Sequence, residues 1–270
     1  MIAELLMPVA IIGGLSLVFG LVLGCFGKIF FVKEDERAKA VRDALSGANC
    51  GACAYPGCDG FAKAVAEGEA AITACPVGGD ALVQQLSEIM GTEAEAGTKN
   101  TAFVRCAGDL IHAQNQYQYA GIRNCNAAAL LINGGAKACS YGCLGFGTCA
   151  EVCSFGAIDM INGLAVVNPD KCVACTLCVS TCPKNLIALI PSNQDMHVVC
   201  ASTEPGRVVR TACTIGCIAC KICEKVCAQD AITMENNLPK WTHERCVHCG
   251  TCAEKCPKQV IRTIAAAKGE

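Results

Sequence analysis

Aromatic residues are scarce in this chain of 270 residues: phenylalanine, tyrosine and tryptophan make up 5% of it, and Trp241 is the one tryptophan. Alanine and cysteine inflate the 53% hydrophobic fraction. So few large apolar side chains leave little material for one extensive core. We therefore expect several small units, each held together by something besides aliphatic packing.

The chain also lacks the features of several function classes. Its net charge is -2 and its pI is about 6.1, so no basic field favours nucleic-acid binding. It has no glycine-rich dinucleotide loop, no phosphate-binding loop and no nucleophile elbow. We therefore expect neither a nicotinamide nor a flavin site on this chain, and no catalytic side chains of its own.

Cysteine, by contrast, is abundant, with 25 residues. Secreted disulfide proteins carry a signal peptide, but no lysine or arginine precedes the apolar run at this N-terminus. The cysteines are also crowded, since four of them fall between Cys172 and Cys182. Such spacing suits a shared metal centre better than separate disulfides.

The N-terminus contains a long uncharged run from Leu5 to Gly27. Its length is sufficient for a helix across a bilayer core of about 30 Å. Lys28 and Lys33 follow it and favour the cytoplasm for the rest of the chain. We therefore predict a transmembrane anchor and flank at residues 1–33, single-pass in the cytoplasmic (inner) membrane, with Cys25 as a buried free thiol inside it.

A first cysteine motif lies in the next segment, residues 34–90, which we predict to be a small helical iron–sulfur domain. Its spacing is C-x2-C-x4-C-x16-C on a glycine-rich loop, and its candidate ligands are Cys50, Cys53, Cys58 and Cys75. The polar stretch that follows predicts a linker at residues 91–104.

The remainder of the chain contains a duplication. Six cysteines recur after a constant shift of 74 residues. The first set is Cys149, Cys153, Cys172, Cys175, Cys178 and Cys182, and the second is Cys223, Cys227, Cys246, Cys249, Cys252 and Cys256. An isoleucine stands five residues after the last cysteine of each motif, at Ile158, Ile187, Ile232 and Ile261. One constant shift across so many positions indicates an internal repeat.

The spacing inside each copy is that of bacterial-type ferredoxins, C-x2-C-x2-C-x3-C, in which the fourth cysteine binds the other cluster of a pair. This rule predicts four [4Fe–4S] sites. Their candidate ligands are Cys217, Cys220, Cys223 and Cys256; Cys227, Cys246, Cys249 and Cys252; Cys153, Cys172, Cys175 and Cys178; and Cys139, Cys143, Cys149 and Cys182. The last set is irregular. Structural zinc, the alternative, usually takes two separate C-x2-C pairs.

Four cysteines remain, Cys106, Cys125, Cys200 and Cys213, and they flank the first copy on both sides. They are enough for a sixth cluster with scattered ligands, the alternative being free buried thiols. The predicted fold is α+β: an N-terminal transmembrane helix, the helical iron–sulfur domain, and two ferredoxin-like modules at residues 105–200 and 201–270.

Charge is unevenly distributed along the chain. Residues 34–100 carry eleven acids and five lysines or arginines, whereas residues 205–270 carry six acids and ten lysines or arginines. The second module therefore offers a basic face to an acidic redox carrier, although solvated surface charge is an equally good interpretation.

The string from Ala48 to Ala62, with Cys-Pro-Val-Gly-Gly at 75–79, resembles the four-iron domain of the RnfB family. The order of segments and the motif at 141–149 resemble the longer, clostridial-type members across essentially the whole chain. Two departures are that no proline follows Cys153 or Cys227. The resemblance implies a subunit of the membrane-bound Rnf ferredoxin:NAD oxidoreductase, which pumps Na⁺ or H⁺. Such a subunit would take electrons from soluble ferredoxin and pass them to partner subunits, where NAD⁺ is reduced.

Two alternatives remain. One is an electron-transfer subunit of another membrane enzyme, such as a hydrogenase-type complex. The other is an iron–sulfur redox sensor, for which six clusters would be excessive.

Overall fold

The computed structural model describes residues 2–29, 35–93, 99–192, 194 and 196–263. Parts of the predicted flank (30–33), linker (94–98) and second module (264–270) lie outside the described residues. The first helix, α1, spans Ile2–Ile29.

The predicted transmembrane anchor is wrong. In the part of the chain that the structure describes, no helix is long and apolar enough to cross a membrane. The stretch of α1 whose side chains are described is residues 12–26. At about 1.5 Å per residue it measures about 22 Å, less than the roughly 30 Å of a bilayer core. Cys25, which we predicted to be buried, is exposed.

Three helices form a small unit after this segment: α2 at Glu36–Ala44, α3 at Gly57–Ala66 and α4 at Gly79–Met90. The Asp35 carboxylate caps α2 by accepting from the Arg37 amide. Apolar faces of the three helices meet around Val41, Phe61 and Leu86, which are almost fully buried. The helical unit therefore has a core of ordinary aliphatic and aromatic side chains.

The first ferredoxin-like copy consists of two small antiparallel sheets and short helices. β1 (Asn100–Val104) pairs with β4 (Ile187–Pro191), and β2 (Ile158–Ile161) pairs with β3 (Leu164–Val167). The helices are α5 at Cys125–Ala129, α6 at Thr148–Glu151 and α7 at Leu177–Thr181. A 3₁₀ turn follows α5 at Ile132–Gly134.

The second copy repeats this arrangement. β5 (Met196–Val198) pairs with β8 (Ile261–Thr263), and β6 (Ile232–Glu235) pairs with β7 (Leu238–Trp241). Its helices are α8 at Gly206–Ala212, α9 at Ile222–Lys225 and α10 at Thr251–Glu254, with a 3₁₀ turn at His243–Arg245. The four repeated isoleucines begin β2, β4, β6 and β8.

Two-residue turns close the inner hairpin of each copy. Asn162 and Gly163 close the first and Asn236 and Asn237 the second, all four with positive φ. Asparagine and glycine tolerate this conformation, which matches the twist of a tight hairpin. The 74-residue repeat therefore extends to the backbone conformation of the turns.

Strand pairing crosses two of the predicted boundaries. β1 lies in the segment predicted as a linker but pairs with β4 of the first copy. β5 lies at the end of the predicted first module but pairs with β8 of the second. Each copy thus begins one strand before its first cysteine motif, because its outer sheet needs a strand from its own N-terminal end. The division into domains stays a prediction.

The cores of both copies contain cysteines where other proteins have large apolar side chains. The first core includes Cys149, Cys172 and Cys178 among its buried members. The second includes Cys200, Cys217, Cys223 and Cys252. This matches the scarcity of aromatic residues in the sequence.

Candidate iron–sulfur centres

The three regular cysteine runs share one backbone conformation. In each, the residue before the second cysteine and the residue after it have positive φ: Ala174 and Thr176, Ala219 and Lys221, His248 and Gly250. Left-handed conformations are costly for residues other than glycine, about 1–2 kcal/mol each. Three loops that repeat them are shaped to turn successive cysteine side chains toward one point.

A short helix begins directly after this left-handed residue in every run. α7, α9 and α10 start after Thr176, Lys221 and Gly250, and α6 starts after Gly147 in the irregular run. The third cysteine of each regular run, and Cys149 of the irregular run, lies in the first turn of its helix. The four sites are therefore built by one local device.

Two cavities are lined by the sets of four cysteines expected from the ferredoxin rule. One, of about 350 Å³, is lined by Cys153, Cys172, Cys175 and Cys178. The other, of about 360 Å³, is lined by Cys217, Cys220, Cys223 and Cys256. In both, three cysteines come from one loop and the fourth from the partner motif.

A third cavity, of about 410 Å³, differs from expectation in one ligand. It is lined by Cys143, Cys149, Cys182 and Cys125, whereas the expected set paired the first three with Cys139. Burial, followed by the proximity of Cys143, Cys125 and Cys182, raises the pKa of the Cys149 thiol to about 12. The buried Thr148 hydroxyl accepts from the Cys125 amide at 2.9 Å and fixes the start of α5 beside the cavity.

The repeat itself contained the signal that would have identified Cys125. Shifted by 74 residues, Cys143 corresponds to Cys217 and Cys139 to Cys213, outside the set. The counterpart of Cys220 is Phe146, which cannot bind iron. Its ring packs instead on Tyr119, with centroids 4.8 Å apart. The first copy therefore lacks one cysteine in its loop, and α5 brings Cys125 to the cavity.

The remaining cysteines of the irregular set meet elsewhere. A fourth cavity, of about 400 Å³, is lined by Cys106, Cys139, Cys200 and Cys213. Three of these are among the four cysteines that the ferredoxin rule left unassigned, and Cys139 takes the place that was given there to Cys125.

For the C-terminal set, the structure places Cys246 and Cys249 near Cys252. Burial raises the pKa of the Cys252 thiol, and the two neighbouring thiols raise it further. Cys227 packs against the same core. Its Sγ accepts a hydrogen bond from the Ala231 amide at 3.3 Å, the counterpart of the bond from Ala157 to Cys153 at 3.3 Å.

In the helical unit, the loop from Asn49 to Cys58 presents three cysteines and α4 approaches the fourth. The Asn49 side-chain oxygen accepts from the Cys58 amide at 2.7 Å and so closes the loop. Burial raises the pKa of the Cys75 thiol, backbone amides of Gly78 and Val77 oppose this, and Cys53 and Cys50 lie near it. All four cysteines are partly buried.

These residues fit iron–sulfur clusters better than single metal ions. Among the described residues, no three histidines, cysteines or acids are close enough to hold one ion. A tetrahedral zinc ion with Zn–S bonds of about 2.3 Å needs its four sulfurs close together. A cube binds each thiolate through a different iron, so its ligands line a wider cavity.

Comparisons with known families match this interpretation. The 4Fe-4S dicluster domain model matches residues 216–261, the 4Fe-4S binding domain model residues 165–188, and the Fe-S cluster model residues 45–77. The matched segments contain the three regular cysteine runs and the Cys50 motif. Multiple [4Fe–4S] clusters are therefore the cofactors of this chain.

Similar proteins extend over nearly the whole chain. In Acetobacterium woodii, the subunit designated B of the Na(+)-translocating ferredoxin:NAD(+) oxidoreductase complex is 45% identical over 97% of this chain and 78% of that protein. In Methanosarcina acetivorans, the subunit of the same letter in the ion-translocating oxidoreductase complex is 37% identical over 97% of the chain and 99% of that protein. The chain belongs to the RnfB family.

A third relative is the corresponding subunit of the proton-translocating ferredoxin:NAD(+) oxidoreductase complex of Clostridium ljungdahlii, 40% identical over 93% of the chain and 89% of that protein. As an RnfB-family member, the chain is an electron-transfer subunit of a membrane-associated, ion-translocating oxidoreductase complex. The relatives' names include both sodium- and proton-translocating complexes, so family membership leaves the coupling ion open.

Proposed function

We propose that this RnfB-family chain accepts electrons from reduced ferredoxin and passes them toward NAD⁺ reduction on a partner subunit. Each [4Fe–4S] cluster that the chain binds supplies a centre for reversible one-electron transfer. The chain's own residues bind these centres, shield them from water and set their potentials. The iron–sulfur domains would face the cytoplasm, where soluble ferredoxin is found.

Five ligand sets belong to this proposal. They are Cys50, Cys53, Cys58 and Cys75; Cys125, Cys143, Cys149 and Cys182; Cys153, Cys172, Cys175 and Cys178; Cys217, Cys220, Cys223 and Cys256; and Cys227, Cys246, Cys249 and Cys252. The four-cysteine lining of three cavities supports three of these sets. Amide donors to the sulfurs, such as those of Ala157 and Ala231, would stabilise the more negative reduced state.

The observation that favours an entry point is the exposure of two cysteines in the second copy. Cys220 and Cys249 are exposed, whereas all other candidate ligands are buried or partly buried. Exposed lysines flank the first, at Lys221 beside it and Lys225 one helical turn later. An acidic carrier would be attracted to this face, and its electron would have a short path to a centre. We propose this face as the ferredoxin docking site.

Stopped-flow mixing of the anaerobic full-length chain with reduced ferredoxin tests the proposal. Lys221→Glu/Lys225→Glu should slow cluster reduction about tenfold at low ionic strength, and added salt should narrow the difference because it screens charge. Lys63→Glu, an equally exposed lysine on α3, is the matched control and should leave the rate unchanged. Equal slowing by both changes would contradict the docking face. Absence of any reduction of the wild-type chain by ferredoxin would contradict the proposed function.

A further inference from the structure

The cavity lined by Cys106, Cys139, Cys200 and Cys213 lies where the two copies meet. Cys106 follows β1, and Cys139 lies in the loop before α6, so both belong to the first copy. Cys200 follows β5 and Cys213 follows α8, so both belong to the second. None of the four falls in a segment that the family models match.

Backbone contacts hold the two copies together around this cavity. The Gln114 amide donates to the Ala212 carbonyl, and the Thr214 amide donates to the His112 carbonyl, each at 2.9 Å. Between them, Ala113 and Cys213 form an antiparallel bridge. The positions of cysteines from both copies are thereby fixed relative to one another.

Gly108 shows how closely the thiols surround the site. A Cβ added there would lie 3.3 Å from the Cys213 sulfur and 3.8 Å from the Cys106 sulfur. The Cys106 sulfur also accepts from the Cys143 amide at 3.5 Å. Two sulfurs from different copies therefore face the same glycine, and an amide donor already points to one of them.

A buried lysine lies beside this cavity. Lys137 is only 5% exposed, and its ammonium donates to the Gly108 carbonyl at 2.6 Å. Within the described ranges it forms no ion pair with a carboxylate. A buried ammonium that has only a neutral carbonyl as its partner is costly, so a negative group is expected nearby. Four neutral thiols would not provide that charge, whereas four thiolates bound to iron would.

We propose that Cys106, Cys139, Cys200 and Cys213 bind a sixth [4Fe–4S] cluster between the two copies, with Lys137 as its buried counter-charge. The four thiols release their protons when they bind iron, as metal-binding cysteines do. The site joins the two copies covalently through its ligands. It does not depend on which carrier donates electrons to the chain.

The first test is the iron and acid-labile sulfide content of the full-length chain purified anaerobically. Six cubes require about 24 iron and 24 sulfide per chain. Cys200→Ala/Cys213→Ala, which removes the ligands of the second copy, should lower both to about 20, and Cys25→Ala should leave both unchanged. A wild-type content of about 20, or an unchanged content in the double variant, would overturn the proposal. So would one zinc per chain that is lost in the double variant.

The second test keeps all four cysteines, so it does not depend on whether the double variant folds. In a reductive titration followed by EPR, Lys137→Met should shift the midpoint of one centre to lower potential and leave the others in place. Loss of a nearby positive charge disfavours the more negative reduced state. Lys137→Arg should restore the midpoint. If Lys137→Met moves no midpoint, Lys137 is not the counter-charge of a cluster and the proposal fails.

Discussion

Asn49 holds the loop of the four-iron unit closed, and its replacement gives a prediction with a magnitude. Its side-chain oxygen accepts from the Cys58 amide at 2.7 Å, and its own φ is 48°. Asn49→Gly removes the hydrogen bond but tolerates the left-handed backbone. Asn49→Ala removes the hydrogen bond and also strains the backbone.

The hydrogen bond is worth about 1 kcal/mol, and the left-handed conformation costs alanine about 1 kcal/mol more than asparagine. Asn49→Gly should therefore favour loop opening about fivefold and Asn49→Ala about thirtyfold, since 1.36 kcal/mol is a factor of about ten. If chelators reach the iron through the open loop, the rate of iron release should rise by the same factors.

The assay is anaerobic bleaching of the visible iron–sulfur absorption in excess chelator. One phase, with the amplitude of a single centre, should accelerate in the order wild type, Asn49→Gly, Asn49→Ala. Asn236→Ala is the matched control, because it strains an equivalent left-handed asparagine in a hairpin turn far along the chain. If Asn49→Ala bleaches no faster than Asn236→Ala, the side chain does not hold the loop. If Asn49→Gly is as fast as Asn49→Ala, the backbone argument is refuted.

Three further predictions concern the ferredoxin-like copies. Thr148→Ala should lose the buried bond to the Cys125 amide, at about 1 kcal/mol, and speed iron release from one centre, whereas Thr148→Ser should not; equal rates would remove Thr148 from the site. Burial lowers the pKa of His243, so its contribution to stability is complete above its unfolded pKa of about 6.5 and is lost as pH falls below that value. The urea midpoint should fall between pH 7.5 and 5.5, and less steeply in His243→Gln; identical slopes would contradict this. Anaerobic iron removal should abolish amide protection in β1 and β4 but spare α2–α4, whose core is aliphatic; equal loss by hydrogen exchange would contradict it.

Local spacing carried most of the information about the iron–sulfur chemistry. The run from Cys172 to Cys178 predicts its cluster because three ligands lie within one loop, whose geometry depends on neighbouring residues. The constant shift of 74 residues likewise predicted the two copies and the strands that begin at the repeated isoleucines. Family membership followed from the same motifs. The uncharged N-terminal run was the exception, since the transmembrane helix predicted from it was wrong.

Tertiary structure decided the ligands that are distant in sequence. Cys125 and Cys139 are both isolated cysteines before the first regular run, and no local pattern distinguishes them. The chain path does: α5 carries Cys125 to the cavity of Cys149, and Cys139 lies with Cys200 and Cys213. Strand pairing decided in the same way that β1 and β5 belong to the copies that follow them. A loop fixes the spacing of its own cysteines, but only packing between elements brings scattered thiols and the buried Lys137 to one place.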